Sequence, residues 1–305
     1  MADGGVVVAI FGPTASGKSA VAEALAGRVG GEVVSADSMQ AYRGLPILTN
    51  QPERPTRLVA IWPLDHPGSV GEYAPLAHAA IDEALEAHGV AVVAGGTGLY
   101  LRAALAELDL PPAPELELRA SLEELYDALG AERAHRLLSE RDPAAAAAVH
   151  PNDRRRVVRA LELNARGASL QPARDRLWSE DARHPTLAFG LDAAPAALAA
   201  RIERRAREMF DRGAEAEARA ALAGRLSVQA RQIIGLREVE AGLPREEAIA
   251  SVARRTRAYA RRQRTWMRRM AGLVSLPADR PPGELADAIL EMARARERLP
   301  ARRAG

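Results

Sequence analysis

"VVVAIFGPTASGKSAVAEAL", residues Val6–Leu25, decides how the chain is read. Val6 to Phe11 is a short apolar run fit for a buried strand, and Ser19 to Arg28 has the alanine-rich, apolar-spaced pattern of a helix. Between them Gly12, four residues, then Gly17, Lys18 and Ser19 match the phosphate-binding loop GxxxxGK followed by Ser or Thr, in the strand–loop–helix order that the motif requires. In that order the loop amides and the helix amino terminus converge on an anion, Lys18 supplies a point charge and Ser19 can ligate magnesium. Gly12, Pro13, Thr14, Ala15, Ser16, Gly17, Lys18 and Ser19 are therefore the candidate cradle. Lys18 is the only lysine in a chain with 41 arginines. A compact ammonium on a thin stem enters a narrow loop that a planar guanidinium does not. The loop by itself leaves open what carries the phosphate.

Working outward, "EVVSAD" (Glu32 to Asp37) reads as a second strand and "RLVAIW" (Arg57 to Trp62) as a third. A helix is expected from about Tyr73 to His88, followed by "VAVVAGGTG" (Val90 to Gly98), a buried strand running into a glycine turn. Strands alternating with helices imply an α/β fold with a doubly wound parallel sheet of the P-loop NTPase-like kind. Ligands of such sheets sit at the carboxyl ends of the strands, where the loop, Asp37 and Thr97 would meet. Strand patterns vanish after residue 110 and return at "TLAFGLD" (Thr186 to Asp192). The expected organisation is an α/β core with carboxyl-terminal helices over 1–110 and 186–290, and a helical insertion over 111–185. "AGLVSLPAD" offers a last strand, and the arginine-rich tail after Met292 reads as frayed.

The chain has 305 residues and no cysteine, which excludes disulfides and cysteine-ligated metal. No basic region precedes the first apolar stretch and no run approaches bilayer length, so a cytoplasmic protein is expected. The net charge of +2 hides an asymmetry: residues 1–110 carry 6 basic and 12 acidic side chains, and residues 111–305 carry 36 and 28. A basic second part beside a phosphate loop suits a polyanionic partner, although a solvated arginine-rich surface is the ordinary alternative. His66, His78 and His88 have no metal-ligand spacing.

"GPTASGKS", "DSMQAYRGL" (Asp37 to Leu45), "GGTGLYLRAAL" (Gly95 to Leu105), "HPNDRRRVVRALE" (His150 to Glu162) and "TRAYARRQRTWMRR" (Thr256 to Arg269) together resemble the tRNA dimethylallyltransferase family. The blocks come in the family's order and span residues 12 to 269. The resemblance implies transfer of a dimethylallyl group from its diphosphate to N6 of the adenine 3′ of the tRNA anticodon, with magnesium as cofactor. It assigns Asp37 as general base, Thr97 to the reacting centre, and Lys18 and Arg205 to the diphosphate. Arg205 is chosen among the four arginines of "ARIERRAREMF" on the family register alone. The tRNA contacts it implies are Asp37, Ser38, Met39, Gln40, Arg119, Arg155, Arg156, Arg159, Arg231, Arg237, Arg257 and Arg261, in a chain expected to act as a monomer on an anticodon stem-loop. The 111–185 insertion is then expected to contact tRNA.

Where the family continues with a "DIGTAK"-like stretch, this chain has "LPILTNQPERP" (Leu45 to Pro55), a departure that bears on the isoprenoid pocket and the neighbouring RNA contacts and not on the diphosphate site. In the carboxyl-terminal block, Val252, Thr256, Tyr259, Gln263, Trp266 and Met270 recur at alternating four- and three-residue steps and form one helical stripe. Its polar members Thr256 and Gln263 either face the site or satisfy buried backbone. Three other functions share parts of this pattern: a small-molecule phosphoryl transferase with Asp37 on magnesium, a prenyltransferase acting on free adenine nucleotide, and a non-catalytic RNA-binding module.

Overall fold

The computed structural model describes residues 5–171 and 177–297. The chain divides into two compact units, Met1–Glu107 with Trp178–Gly305, and Leu108–Leu177.

The first unit is built on a five-stranded sheet. β1 (Val6–Phe11) leads through the phosphate loop into α1 (Lys18–Val29), and β2 (Val33–Ser35) follows. α2 (Val70–His88) and β3 (Val90–Gly95) run into α3 (Gly98–Leu105). The second unit contributes α4 (Leu116–Leu129), α5 (Ala131–Arg141), α6 (Pro143–Ala148) and α7 (Arg154–Ala165). The first unit resumes with β4 (Thr186–Asp192), α8 (Pro195–Asp211), α9 (Ala214–Leu222), α10 (Leu236–Glu240) and α11 (Arg245–Arg269). β5 (Val274–Pro277) and α12 (Pro282–Glu297) complete it.

The strand order is β2-β3-β1-β4-β5 and every pairing is parallel. All six residues of β1 are buried, because helices cover both faces of the sheet. Val7, Ala9 and Phe11 pack with α2, α3, α8 and α11, while Val6, Val8 and Ile10 pack with α1 and α12. The period of two along the strand thus divides one sequence between two cores.

Three expectations are corrected. Arg57 to Trp62 is not a strand. Leu58 and Ala60 take positive φ, 64° and 55°, which breaks extended pairing, and only the isolated bridges Val34 to Arg57 and Tyr42 to Trp62 form. The segment still covers the free edge of β2 before crossing to the loop at 40–43, where Ala60 and Trp62 amides donate to Gln40 and Ala41. α2 begins at Val70 rather than about Tyr73, because Ser69 and Glu72 form a capping box, an S-x-x-E signal present in the sequence. α12 carries helix past Met292 to Glu297; the remainder of the expected frayed tail lies outside the described residues.

The second unit has its own core, in which Leu122, Tyr126, Leu138, Val149, Val157, Val158 and Leu161 are buried. Asp142 and Asp153 cap α6 and α7 by accepting from Ala145 N and Arg156 N.

Candidate active site

The loop from Gly12 to Gly17 turns because it holds residues in unusual backbone states. Ala15 and Gly17 have φ of 64° and 91°, and a Cβ on Gly12 would lie 2.8 Å from both Leu191 O and Ser16 Oγ. Lys18 is the first residue of α1. Burial is the main cause that lowers its ammonium to about 8; Asp37 pulls the other way and Arg205 adds to the lowering. Burial also holds the Arg205 guanidinium below its ordinary value, partly offset by Asp37 and Glu208.

Arg205 donates from Nη1 to Thr14 Oγ1 at 3.0 Å, while its buried Nε has no partner among the described residues. Ser16, 3% exposed, also leaves its Oγ unpartnered. Buried polar groups are nearly always paired, and a hydroxyl and a guanidinium nitrogen free to donate beside a loop of amides suit an anion. The other arginines of α8 are spent elsewhere. Arg201 donates to Ala278 O, Arg204 lies 3.4 Å from Glu208, and Arg207 pairs with Glu246.

Asp37 follows β2, and its carboxylate accepts from Met39 N at 3.0 Å. It sits close enough to the loop to act on the charges of both Lys18 and Arg205. Its neighbour is the turn after β3. Gly95 is needed there because a Cβ would lie 2.0 Å from Ala36 O. Thr97 Oγ1 accepts from Ser38 N at 3.2 Å and lies 3.3 Å from both Ser38 Oγ and the Tyr259 hydroxyl. Burial, followed by the Asp37 carboxylate, pushes the Tyr259 hydroxyl well above the ordinary tyrosine value. Of the two polar stripe members that the sequence left undecided, Thr256 and Gln263, Gln263 reaches the site, as does Tyr259, which the sequence placed only in the stripe. Gln263 Oε1 accepts from Thr14 N and its Nε2 donates to Gly96 O, both at 2.8 Å.

The sequence-predicted RNA contacts fall into different settings. Ser38 is tied to Thr97, and Met39 packs against the core. Gln40 spends its amide inside the chain, accepting from Ser35 Oγ and donating to Asn50 O. Arg231 and Arg257 pair with Glu240 and Glu203, whereas Arg237 and Arg261 stand exposed outside these pairs. Within the second unit Arg159 donates to the fully buried Glu162 at 2.7 Å, and Arg119 lies 4.0 Å from its other oxygen. Arg155 and Arg156 are exposed. The divergent Leu45 to Pro55 segment is pinned by Glu217, which accepts from Ile47 N and Leu48 N at 2.7 and 2.8 Å.

Among the described residues no three His, Cys, Asp or Glu side chains group as a metal cage. The hard oxygen donors at the loop are Ser19 and Asp37, which suits an ion that draws its other ligands from phosphate oxygens and water, as magnesium does. Among them, too, no helix is long and apolar enough to cross a membrane.

Fold and site define an α/β protein with a phosphate loop whose cations face a carboxylate and a threonine-bearing turn. The IPP transferase family matches residues 40–270 and the isopentenyl transferase family residues 5–56. A tRNA dimethylallyltransferase of Anaeromyxobacter sp. (strain K) is 43% identical over 298 residues, covering 93% of this chain and 97% of the relative. That of Koribacter versatilis is 40% identical over 85% of this chain and 89% of its own. The crystal structure of a tRNA isopentenylpyrophosphate transferase from Bacillus halodurans is similar with a TM-score of 0.68 at 33% identity, over 95% of this chain and 96% of that one. A eukaryotic dimethylallyltransferase captured acting on tRNA is similar with a TM-score of 0.77 at 25% identity, over 99% and 82% of the two chains. The chain belongs to the tRNA dimethylallyltransferase family.

Proposed function

We propose that the protein transfers a dimethylallyl group from dimethylallyl diphosphate to N6 of the adenine 3′ of the anticodon in tRNA, releasing diphosphate. The observation that carries this reading is the pairing of a desolvated lysine and a half-satisfied arginine at a phosphate loop with Asp37 and Thr97 beside them.

The diphosphate enters the loop as the anion that Lys18, Arg205 and the Ser16 hydroxyl are placed to meet. The C1–O bond of the isoprenoid breaks with its electron pair going to diphosphate, and the charge that develops there is met by Lys18 and Arg205, which burial already partly desolvates. The adenine amine forms the new N6–C1 bond and gives up one proton. Its lone pair is delocalised into the ring, so loss of that proton during attack matters, and the Asp37 carboxylate is placed to take it. Thr97, oriented by Ser38 N and Tyr259, presents its hydroxyl on the acceptor side. Magnesium, held by Ser19 with Asp37 nearby, would supply further positive charge to the diphosphate oxygens. The base must leave its stack to reach these groups, which an anticodon loop permits at modest cost. The protein acts as a monomer in the cytoplasm on this reading, and the exposed Arg155, Arg156, Arg237 and Arg261 are contacts to RNA phosphates.

Mass spectrometry of the nucleosides of an anticodon stem-loop incubated with the protein and dimethylallyl diphosphate tests it. The expected product is a prenylated adenosine, formed only when the adenine 3′ of the anticodon is present. Prenylation of free AMP as efficient as that of the stem-loop would make the acceptor a nucleotide instead.

A further inference from the structure

Three side chains of α11 meet three consecutive residues of the turn after β3. The Tyr259 hydroxyl lies 3.3 Å from Thr97 Oγ1, Gln263 Nε2 donates to Gly96 O at 2.8 Å, and the Trp266 ring fills the space of a Gly98 side chain, whose Cβ would approach to 2.3 Å. Positions 259, 263 and 266 share one helix face. Gly96 is open for the same reason: a Cβ there would lie 2.2 Å from Gln263 Nε2. Trp178 stands against Trp266, ring centroids 4.7 Å apart, and Arg269 lies over the Trp178 ring at 3.9 Å. Trp178 thus contacts two residues of α11, which makes this cluster a buttress for the helix.

Gln263 also reaches the phosphate loop. It is 3% exposed, and its Oε1 accepts from Thr14 N at 2.8 Å. Thr14 is in turn the residue whose hydroxyl holds Arg205. A carboxamide carries an acceptor and a donor in one rigid plane, so one side chain ties the diphosphate loop to the turn that bears Thr97 at a fixed separation.

We infer that Gln263 is a positioning residue for the transfer reaction. It sets the distance between the loop that holds the leaving group and the turn that orients the acceptor, without touching either substrate. This role rests on the prenyl-transfer function proposed above. Binding of diphosphate still has Lys18, Arg205 and the remaining loop amides when Gln263 is replaced. Alignment of the isoprenoid carbon with the amine does not survive, and a misplacement of about 1 Å can cost about 10²-fold in rate. Substitution should therefore separate kcat from KM.

The test compares Gln263→Leu and Gln263→Glu in the full chain. Hydrogen exchange without substrate should rise in both the 12–16 and the 95–98 segments of Q263L, because both ties are cut. In Q263E it should rise mainly in 95–98, since a carboxylate still accepts from Thr14 N but cannot donate to Gly96 O. With saturating stem-loop and dimethylallyl diphosphate, kcat of Q263L should fall about 10²-fold while KM for dimethylallyl diphosphate and affinity for inorganic diphosphate stay within about 5-fold. A kcat within threefold of wild type, unchanged exchange in either segment of Q263L, or kcat and diphosphate affinity falling by the same factor would overturn the role. If Q263L fails to fold, Q263E decides, and a wild-type kcat in that variant overturns the inference. An inactive wild type sinks the functional reading and this inference with it; an active wild type with an indifferent Q263L sinks only the role of Gln263.

Discussion

The cations of the phosphate loop and those of the helical unit are held in opposite ways. Lys18 and Arg205 sit where burial works against their charge, and the ordinary values of both are lowered. Within the helical unit Arg159 and Arg119 surround Glu162, and Arg154 is raised, first by its hydrogen bond to Asp127. The helical unit meets its cations with its own carboxylates, although Glu162 Oε2 accepts no hydrogen bond among the described residues. At the phosphate loop Asp37 is the carboxylate that acts on both cations, and a ligand that brings further negative charge is favoured there.

The largest expected effect attacks the site from its acidic side. Asp37→Ala should lower kcat by about 10² to 10⁴, the usual contribution of a positioned base, with diphosphate and stem-loop affinities nearly unchanged. Single-turnover rates and equilibrium binding separate the two. Unimpaired turnover would remove Asp37 as base, and collapse of magnesium-dependent binding would make it a metal ligand.

Glu162→Leu probes the scaffold. With the carboxylate gone, Arg159 loses its ion-pair partner and Glu115 N its acceptor, while Arg119 keeps Glu123 at 3.1 Å; loss of one partner of a buried pair costs about 3–5 kcal/mol, and the partial exposure of Arg159 places this one toward the lower end. Denaturant unfolding should register that loss, while inorganic diphosphate binding should stay as it was. An equally stable variant would mean that these arginines reach solvent without help.

A third measurement concerns the lysine. Its folded value of about 8 lies below the 10.5 of the unfolded chain, so between those values the unfolded state binds more protons and stability rises with pH. The cost below pH 8 is at most about 3 kcal/mol. Lys18→Met should accordingly be more stable than wild type at neutral pH, with the advantage shrinking toward pH 10. Diphosphate affinity of the wild type should fall as pH rises through 8, and Lys18→Met should be weak and flat. Lys18→Arg should bind poorly too, because the planar fork does not fit the loop. A Lys18→Met variant less stable than wild type at pH 7 would show that the ammonium is stabilising where it lies.

The smallest effect belongs to the exposed arginines. Arg155→Ala with Arg156→Ala should leave unfolding and diphosphate affinity unchanged and reduce the salt slope of stem-loop binding by about 0.7–0.9 for each RNA phosphate no longer neutralised. An unaltered slope would assign both to the solvated surface.

The phosphate loop, the parallel α/β order and the family were legible in the sequence because each rests on local spacing: glycines five apart, apolar runs of strand length, and five motif blocks in order. The false strand at Arg57–Trp62 shows where local reading stops. The apolar run is mostly half-buried, and positive φ at Leu58 and Ala60 prevents extended pairing where the chain crosses to residues 40–43. The four arginines of α8 were equivalent in sequence; the helix's placement against the sheet alone sends Arg205 to Thr14 and Arg201 to Ala278. Gln263 was visible as a polar break in an apolar stripe, with its partners undetermined. Those partners, Thr14 and Gly96, are 249 and 167 residues away along the chain, and only the folded packing of α11 across two loop ends brings one amide within 2.8 Å of both.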